Sequence, residues 1–452
     1  MDKKSQFRLA CIILALWVSD SLILANVSSE TKLEKQWHQW RGPHATGVAP
    51  HSSPPTEWGP DKNIRWKTEI PGLGHATPII WGETIFVTTA IKAGKKISSE
   101  ALTARENQLP EWRRNSGSPV THVTKFVTMA INRHNGQVIW QKTAKEALPH
   151  EGTYKDASWA SPSAITDGQF LFAYFGSFGL YCYDFTGQLQ WETDFGDMDV
   201  FLDFGEGSSP ALHDNTLFIN WDHQGQSFII ALDKQTGKEK WRTERDEIST
   251  WTTPVVALSE PPQVIVSANN KTCGYDVETG GLIWSAAGLT KNTIPSPVFA
   301  DGIVYVASGY DGEMLQAIRA KGASGDVTDS DSIVWQRQKD APYVPSLLLY
   351  GDMLYALKSN KGIVSCFDAK TGKVHYGPER LKSLKGIYAS PVAANGKVYF
   401  VGRQGNCLVL KHSHDFEILA ENRLEDRFDA SPAIVGDQLY LRGHKYLYCI
   451  SE

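Results

Sequence analysis

One segment, running from Trp159 to Trp191, recurs along most of this chain. It begins with a Ser-Pro pair after an aromatic residue, continues as a short apolar run and turns at Asp167-Gly168. Further apolar runs follow, broken at Gly176-Ser177 and at Thr186-Gly187, and the last one ends on Trp191. Four short strands separated by glycine turns are typical of one blade of a β-propeller. Because one such sheet cannot bury both of its faces alone, the segment predicts neighbouring copies of itself.

The opening dipeptide of this segment returns at intervals along the chain. Each copy places Ser or Thr before Pro at the start of an apolar run, and one degenerate copy has the order Pro-Ser-Leu. The copies are Thr77-Pro78, Ser161-Pro162, Ser209-Pro210, Thr253-Pro254, Ser296-Pro297, Ser390-Pro391, Ser431-Pro432 and the degenerate Pro345-Ser346-Leu347. Eight copies predict an all-β fold, an eight-bladed β-propeller of four-stranded sheets.

The closing half of the segment repeats as an Asp, a Thr-Gly pair and an aromatic residue four positions after the glycine. The clearest copy is Asp233, Thr236-Gly237 and Trp241. The carboxylate can accept N–H groups of the turn and the glycine tolerates a positive φ, so the hairpin reverses at low cost. The aromatic residue then projects from the outer strand, where it can wedge between neighbouring blades. The residues assigned to this docking position are Trp66, Trp140, Trp191, Trp241, Trp284, Trp335 and Tyr376.

The run from Asp233 to Trp241 is similar to the repeat of a known family. It resembles the tryptophan-docking repeat of the pyrroloquinoline-quinone-like, or quinoprotein-type, β-propellers of the exported bacterial type, and the similarity covers about residues 63 to 450. The resemblance implies W-shaped blades packed around a central axis. It says less about chemistry, because blades of this kind serve both dehydrogenases and binding scaffolds.

The two ends of the repeat region complement each other. The last copy, from Phe428 to Ile450, has three strands and lacks the outer strand with its aromatic residue. The run from Ile64 to Lys67 reads as a single strand that carries Trp66. Pairing this N-terminal strand into the last blade would close the ring and remove two open sheet edges.

The residues before the propeller (63–450) divide into two parts. Residues 1–25 have a cationic start followed by an apolar stretch, which predicts a signal peptide and export to the periplasm or the extracellular space. A retained membrane anchor is the alternative, and no stable membrane span is expected once the signal is removed. Residues 26–62 are rich in Trp and Pro, which predicts an extended strap that either covers one blade or docks a partner.

Charge and cysteine usage exclude some classes of function. A net charge of -5 and a pI near 6.2 leave no basic surface, so nucleic acid is not an expected partner. The five cysteines after the signal fall in or beside the third strands of different blades, without any Cys-x-x-Cys pair. This distribution favours separate buried thiols over a disulfide framework.

The candidate ligand site follows from the direction of the inner strands. If these strands begin at the Ser-Pro pairs, the blade-to-blade crossings and the second-to-third-strand hairpins share one face, and this face varies in length and composition. Binding residues usually lie on variable loops that a rigid scaffold holds. Aromatic and polar residues at this mouth suit a planar ligand, a sugar or a peptide, although the aromatic residues could instead plug the axial channel. The candidates are His75, Trp159, Glu206, Trp251, Tyr343, Tyr388 and Asp429.

The first blade carries an insertion at residues 91–122. Its residues Trp112, Arg113 and Arg114 combine an aromatic ring with two cations. A loop of this length inside a compact fold is usually functional or disordered. We therefore expect a lid or a partner-docking arm over the variable face, with a decorative excursion as the alternative.

Two classes of function remain open from the sequence. The first is an exported, noncatalytic scaffold that uses no cofactor or metal and binds an envelope protein or a carbohydrate on the variable face. The second, implied by the resemblance, is a dehydrogenase that holds pyrroloquinoline quinone with calcium, with Glu206, Asp222 or Asp429 as metal ligand or base. The sequence has none of the adjacent cysteines found in many such dehydrogenases, and it has no nucleophile elbow, phosphate loop or zinc spacing. These features favour the scaffold.

Overall fold

The computed structural model describes residues 32–108, 111, 114 and 117–452. Within them the chain forms eight antiparallel sheets, and the inner strands of successive sheets contact one another around an axis. The predicted eight-bladed propeller is therefore confirmed. The expected signal peptide at residues 1–25 lies outside the described residues.

Each blade has four strands, named from the inner strand outwards. Blade 1 consists of Ile79–Trp81, Thr84–Ala93, Val123–Asn132 and Val138–Ala147, and blade 2 of Ile165–Thr166, Phe170–Tyr174, Leu180–Asp184 and Leu189–Thr193. Blade 3 consists of Ala211–His213, Thr216–Trp221, Ser227–Asp233 and Glu239–Arg245, and blade 4 of Val255–Ala257, Gln263–Val266, Thr272–Asp276 and Leu282–Ala286. Blade 5 consists of Val298–Ala300, Ile303–Ser308, Met314–Arg319 and Ile333–Arg337, and blade 6 of Leu348–Tyr350, Met353–Leu357, Ile363–Asp368 and Val374–Arg380. Blade 7 consists of Val392–Ala394, Lys397–Val401, Asn406–Lys411 and Ile418–Arg423, and blade 8 of Ala433–Val435, Gln438–Arg442, Tyr446–Ile450 and Ile64–Glu69.

Three further elements interrupt this regularity. The short strand Gly325–Asp326 pairs in parallel with the outer strand of blade 4 and gives that sheet a fifth strand. Helix α1 (Ser99–Gln108) lies within the insertion of blade 1. Short 3-10 turns occupy Gly176–Phe178 and Phe201–Asp203 on the loop face.

The ring closes through the N-terminal strand, as the sequence predicts. Strand Ile64–Glu69 pairs antiparallel with Tyr446–Ile450, and Trp66 lies opposite Cys449. The last blade thereby gains its outer strand, and Tyr446–Ile450 is paired along both of its edges.

A tryptophan from each of five blades docks onto the turn of the next blade. Trp191 donates its Nε1 hydrogen to the carbonyl of Lys234 at 3.0 Å, and a Cβ added at Gly237 would lie 2.5 Å from the Trp191 ring. Gly237 also has φ +68°, so this turn requires glycine for its backbone and for its contact. The same contacts join Trp66 to Arg133 and Gly136, Trp140 to Phe185 and Gly187, Trp241 to Val277 and Gly280, and Trp335 to Ala369 and Gly372.

The other two assigned aromatic residues do not follow this pattern. Trp284 is fully buried and donates to Gln263 of its own blade at 2.7 Å. The Tyr376 ring lies 5.6 Å from that of Phe416, and its hydroxyl has no hydrogen-bond partner among the described residues. In both cases the next blade lacks a Thr-Gly turn between its third and fourth strands. Blade 7 has no glycine there, and a Cβ added at Gly322 or Gly325 of blade 5 would meet no atom within 4 Å, so neither glycine receives a ring.

The repeated Ser and Thr residues form a hydrogen-bonded ring around the axis. In each step, the backbone N–H of one member donates to the side-chain oxygen of the next blade's member at 2.9–3.0 Å, and the Thr77 hydroxyl closes the ring on the Ser431 carbonyl. We call these residues the hydroxyl ring; its members are Thr77, Ser163, Ser209, Thr253, Ser296, Ser346, Ser390 and Ser431.

One member of the ring differs from the residue that the sequence indicates. The ring position of blade 2 is Ser163, whereas the repeat pattern assigns Ser161-Pro162. Each ring residue lies two positions before its inner strand, and the inner strand of blade 2 begins at Ile165. The proline of this blade is therefore displaced by two residues, and Ser161 instead donates to the carbonyl of Ser158 at 2.8 Å.

The Trp- and Pro-rich N-terminal segment is not confined to one blade. Trp37 pairs with Ile80 of blade 1, and Ser53 donates its backbone N–H to the Gly436 carbonyl of blade 8 at 2.8 Å. Between these contacts Arg41 is buried and donates to the carbonyls of Leu347 and Pro391. The expectation of a strap over a single blade is wrong, because the segment passes into the axial channel. Within the described part of the chain, no helix has the length and apolar character to cross a membrane.

Candidate functional site

The eight crossings between blades converge on a funnel with a volume of about 450 Å³. Six of the seven candidate ligand-binding residues line it together, each supplied by a different crossing. They are His75, Glu206, Trp251, Tyr343, Tyr388 and Asp429. The aromatic members are half-buried, so part of each ring faces the funnel. The channel mouth is thus an open cavity and is not filled by these side chains.

The seventh candidate, Trp159, lies behind the funnel wall. It borders a small cavity next to Glu206 and Phe178, and its Nε1 is 3.4 Å from the Glu151 carbonyl. Its ring packs with the core shared by blades 1 and 2. Trp159 therefore supports the wall without lining the funnel itself.

The floor of the funnel consists of the hydroxyl ring and one tryptophan. Trp40 lines the funnel and donates its Nε1 hydrogen to Ser296 Oγ at 3.2 Å. Because the N-terminal segment that carries Trp40 enters the channel from the opposite face, it closes the funnel from below. The cavity is therefore blind.

Two arginines and two aspartates form a closed ion-pair box on one wall. Arg403 donates to Asp429 and to Asp156 Oδ2 at 3.1 Å, and Arg427 donates to Asp429 Oδ2 at 3.1 Å and to Asp156 Oδ1 at 2.7 Å. The Arg403 guanidinium also stacks on the Tyr388 ring at 3.9 Å. The box joins the crossing between blades 1 and 2 to blade 7 and to the crossing between blades 7 and 8. Its charges cancel, so the wall carries little net charge.

Two histidines lie against this box. His444 Nε2 donates to Asp429 Oδ2 at 2.8 Å, and His75 Nε2 lies 3.8 Å from the same oxygen. Burial lowers the pKa of His75 to about 4, although the Asp429 charge partly opposes the shift. Burial would raise the pKa of Asp429, but the hydrogen bond from His444 and the charges of His75 and Arg403 hold it below its ordinary value. At neutral pH His75 is uncharged and Asp429 is ionised.

Glu206 comes from the crossing between blades 2 and 3. Its carboxylate accepts the Ser177 N–H at 2.7 Å and the Ser177 hydroxyl at 2.6 Å. Burial raises the pKa of Glu206 to about 7, against the lowering effect of these two hydrogen bonds. A Cβ added at Gly176 would lie 1.3 Å from the Glu206 Oε2 atom, so the carboxylate packs directly on this glycine.

The insertion of blade 1 lies on the same face, beside the funnel. Arg105 of α1 donates to the carbonyls of Pro149 and His150, at 2.7 and 3.3 Å. A second cavity of about 340 Å³ separates α1 from the crossing between blades 1 and 2. Arg114 donates to the Asn107 carbonyl at 3.2 Å, whereas Trp112 and Arg113 lie outside the described residues.

Curated proteins are similar to this chain in sequence, and solved structures are similar to it in fold. An outer membrane protein assembly factor BamB from Yersinia pestis is 24% identical over 343 residues, which cover 70% of this chain and 78% of that protein. A Francisella salina protein of the same name is 29% identical over 100 residues, and the match covers 22% of this chain and only 18% of that protein.

Among solved structures, BamB from Moraxella catarrhalis aligns with a TM-score of 0.58 at 15% identity, covering 86% of this chain and 98% of that one. The quinohemoprotein alcohol dehydrogenase of Comamonas testosteroni aligns with a TM-score of 0.62 at 9% identity, covering 92% of this chain and 80% of that one. At these identities both structures show a shared fold alone.

The family model described as outer membrane protein assembly factor BamB matches residues 124–377 and 226–452. The chain belongs to this BamB-like family of PQQ-like repeats. The resemblance stated from the Asp233 to Trp241 repeat is therefore confirmed.

The funnel of this BamB-family chain does not fit calcium with a quinone. Calcium takes six to eight oxygen ligands. The two clusters of metal-type ligands in the described residues are His75, Asp429 and His444, and His150, Glu151 and Glu206, so each contains nitrogen and at most two carboxylates. An anionic quinone would also need unpaired cations, but Arg403 and Arg427 are already held by carboxylates. These residues therefore do not match the cofactor.

Several residues of the funnel were missed by sequence reasoning. Tyr154 and Asp156 lie in a long crossing outside the repeat pattern, Trp40 comes from the N-terminal segment, and Tyr310 comes from a hairpin of blade 5. Arg403 follows a second strand, where nothing in the repeat marks it. Only the acidic and aromatic character of the long crossing could have drawn attention to Tyr154 and Asp156.

Proposed function

We propose that this BamB-family chain is an exported, noncatalytic scaffold that binds a protein partner on its loop face. One observation carries the proposal: the charged groups of one funnel wall, Arg403, Arg427, Asp156 and Asp429, are paired with one another in a closed box. Glu206 also lines the funnel outside this box, and its carboxylate accepts two hydrogen bonds from Ser177. Half-buried aromatic surface is what a binding site offers.

The kind of partner is inferred from the family and from the N-terminus. The relatives are named as factors in the assembly of outer membrane proteins. The apolar stretch in residues 1–25 predicts export, which would bring this chain into the same envelope. An envelope protein is therefore the proposed partner.

The loop face offers the partner two adjoining surfaces. One is the mouth of the funnel, and the other is α1, which is held against the crossing between blades 1 and 2 by Arg105. No residue of α1 is buried, so the helix has free surface on the side away from Arg105. Variable loops on a rigid scaffold are the usual place for such recognition.

Site-specific photo-cross-linking in the native host tests the proposal. A photoreactive amino acid replaces Ala104 on α1 in one variant, and Leu258, which is 71% exposed in a turn of the opposite face, in a matched control. We expect the Ala104 position to cross-link to a protein of the outer-membrane assembly machinery and the Leu258 position to give no such product. Equal labelling from both faces, or labelling of no envelope protein, would overturn the proposal.

A further inference from the structure

The loop-face funnel has a ligand chemistry of its own. We propose that it binds the end of a neutral oligosaccharide. The proposal rests on the proposed binding function in so far as the funnel is a ligand site, but it does not depend on the protein partner. Three features of the described residues carry it: the donors of the floor, the aromatic wall and the balance of charge.

The floor presents a circle of hydroxyl donors. Six members of the hydroxyl ring line the cavity: Ser209, Thr253, Ser296, Ser346, Ser390 and Ser431. Each oxygen already accepts a backbone N–H from the neighbouring blade, which fixes its position. Among the described residues, none of these six hydroxyls donates to a protein acceptor. Six fixed donors around one axis suit a ligand with many closely spaced oxygen acceptors, which is the chemistry of a sugar.

The wall presents aromatic faces from several sides. Trp251, Tyr343 and Tyr388 are half-buried, and Tyr310 is 51% exposed with its ring 5.3 Å from that of Tyr343. Arg403 covers one face of Tyr388. The apolar C–H faces of a pyranose ring pack against aromatic rings, while its hydroxyl groups point to the edges, where polar groups can reach them. A funnel with aromatic sides and a hydroxyl floor matches this two-sided character.

The charge balance excludes strongly charged ligands. Arg403 and Arg427 are neutralised by Asp156 and Asp429, and burial raises the pKa of Glu206 to about 7, which leaves it partly protonated at neutral pH. An anionic or cationic ligand would have to break the ion-pair box to find a partner, which would leave buried charges unpaired. A neutral sugar can instead donate to the carboxylate of Asp156, whose side chain is 18% exposed, without breaking the box.

The blind floor determines which part of a glycan can enter. Trp40 closes the cavity from below and is held by Ser296, so a polymer cannot thread through the channel. A volume of about 450 Å³ lies at the lower end of the range for small-molecule sites. The funnel is therefore suited to the terminal units of a chain and not to its middle.

Isothermal titration with three neutral trisaccharides, maltotriose, cellotriose and tri-N-acetylchitotriose, tests the proposal on the mature chain. We expect at least one to bind saturably, and we expect Tyr310→Ala to weaken that binding by about tenfold or more. Because Tyr310 is half exposed, its loss should not unfold the protein, and Trp251→Phe provides a second, conservative change in the wall. Leu258→Ala on the opposite face is the matched control.

The outcomes separate the possible occupants. Failure of all three sugars at millimolar concentration would overturn the proposal, as would binding that Tyr310→Ala and Trp251→Phe leave unchanged. If the tripeptide Phe-Gly-Phe binds in the funnel and the sugars do not, the occupant is a peptide and the sugar assignment is wrong. The photo-cross-linking from Ala104 reads out the protein partner separately, so either proposal can fail while the other stands.

Discussion

Glu206 is the residue whose protonation most directly reflects its place in the fold. Burial raises its pKa to about 7, above the ordinary value near 4.5 that it has in the unfolded chain. The folded state therefore binds the proton more tightly, and its advantage is fully present below pH 4.5 and lost as the pH rises through 7. The carboxylate is tolerated there because Ser177 donates two hydrogen bonds and Gly176 leaves room for it.

The first prediction concerns this carboxylate. Glu206→Gln removes the titration and keeps the shape, so the variant should gain stability relative to the native protein as the pH rises from 5 to 8, by on the order of 2 kcal/mol. Urea unfolding at several pH values measures the difference. Burial also raises the pKa of Glu247 to about 7, so only the difference between the two proteins isolates Glu206. A difference that does not change with pH would show that Glu206 is ionised throughout.

A second prediction at this scale concerns the docking tryptophans. Trp191→Ala removes a ring that packs on Gly237 and a hydrogen bond to the Lys234 carbonyl, and should cost about 3–5 kcal/mol. Leu189→Ala on the same strand is the matched control, because Leu189 is 48% exposed and should change the stability by less than about 0.5 kcal/mol. Chemical denaturation of both variants gives the comparison. Equal, small effects would mean that the ring does not hold the blades together.

At the scale of elements, the N-terminal segment has two separate structural roles. Strand Ile64–Glu69 completes blade 8, whereas the residues before it close the funnel and bury Trp37 and Arg41. The closing strand was predictable, because the last repeat lacks its outer strand. The path through the channel was not, because Arg41 donates to carbonyl groups of distant blades that leave no mark in the local sequence.

Two deletions distinguish the completion of blade 8 from the closure of the funnel. Removing residues 32–62 should lower the melting temperature but leave the oligomeric state unchanged, since blade 8 keeps its outer strand. Removing residues 32–69 exposes the edge of Tyr446–Ile450 and should add self-association through that edge. Thermal unfolding and size-exclusion chromatography report the two effects. If the longer deletion remains as stable and as monomeric as the shorter one, the closure by Trp66 and its strand is unimportant.

The insertion is predicted to contribute to binding more than to stability. Because no residue of α1 is buried, replacing residues 99–108 by a Gly-Ser linker should change the melting temperature by only a few degrees. Cross-linking to the envelope partner, read from a photoreactive group at Tyr154 on the funnel rim, should fall strongly. Unchanged cross-linking in a folded variant would show that the insertion does not dock the partner.

For the molecule as a whole, the repeat carried most of the information. Blade number, closure and fold follow from dipeptides and turn signals that recur, because each copy must bury its faces against the next. The mouth of the funnel was also predictable, since its residues stand at a fixed offset from the inner strands; six of seven candidates line one cavity. The displaced proline of blade 2 and the contribution of Asp156 were not predictable, because both depend on contacts between segments far apart in the chain.

The measurement that tests the central claim most directly is a titration of the mature protein with pyrroloquinoline quinone and Ca²⁺, followed by tryptophan fluorescence and by thermal unfolding. Trp40 and Trp251 line the funnel, so a bound quinone would quench them. A scaffold whose funnel cations, Arg403 and Arg427, are already paired should show no saturable quenching and no calcium-dependent rise in melting temperature. Saturable quenching together with such a rise would contradict the scaffold and favour a dehydrogenase, with Glu206 and Asp429 as the first residues to change.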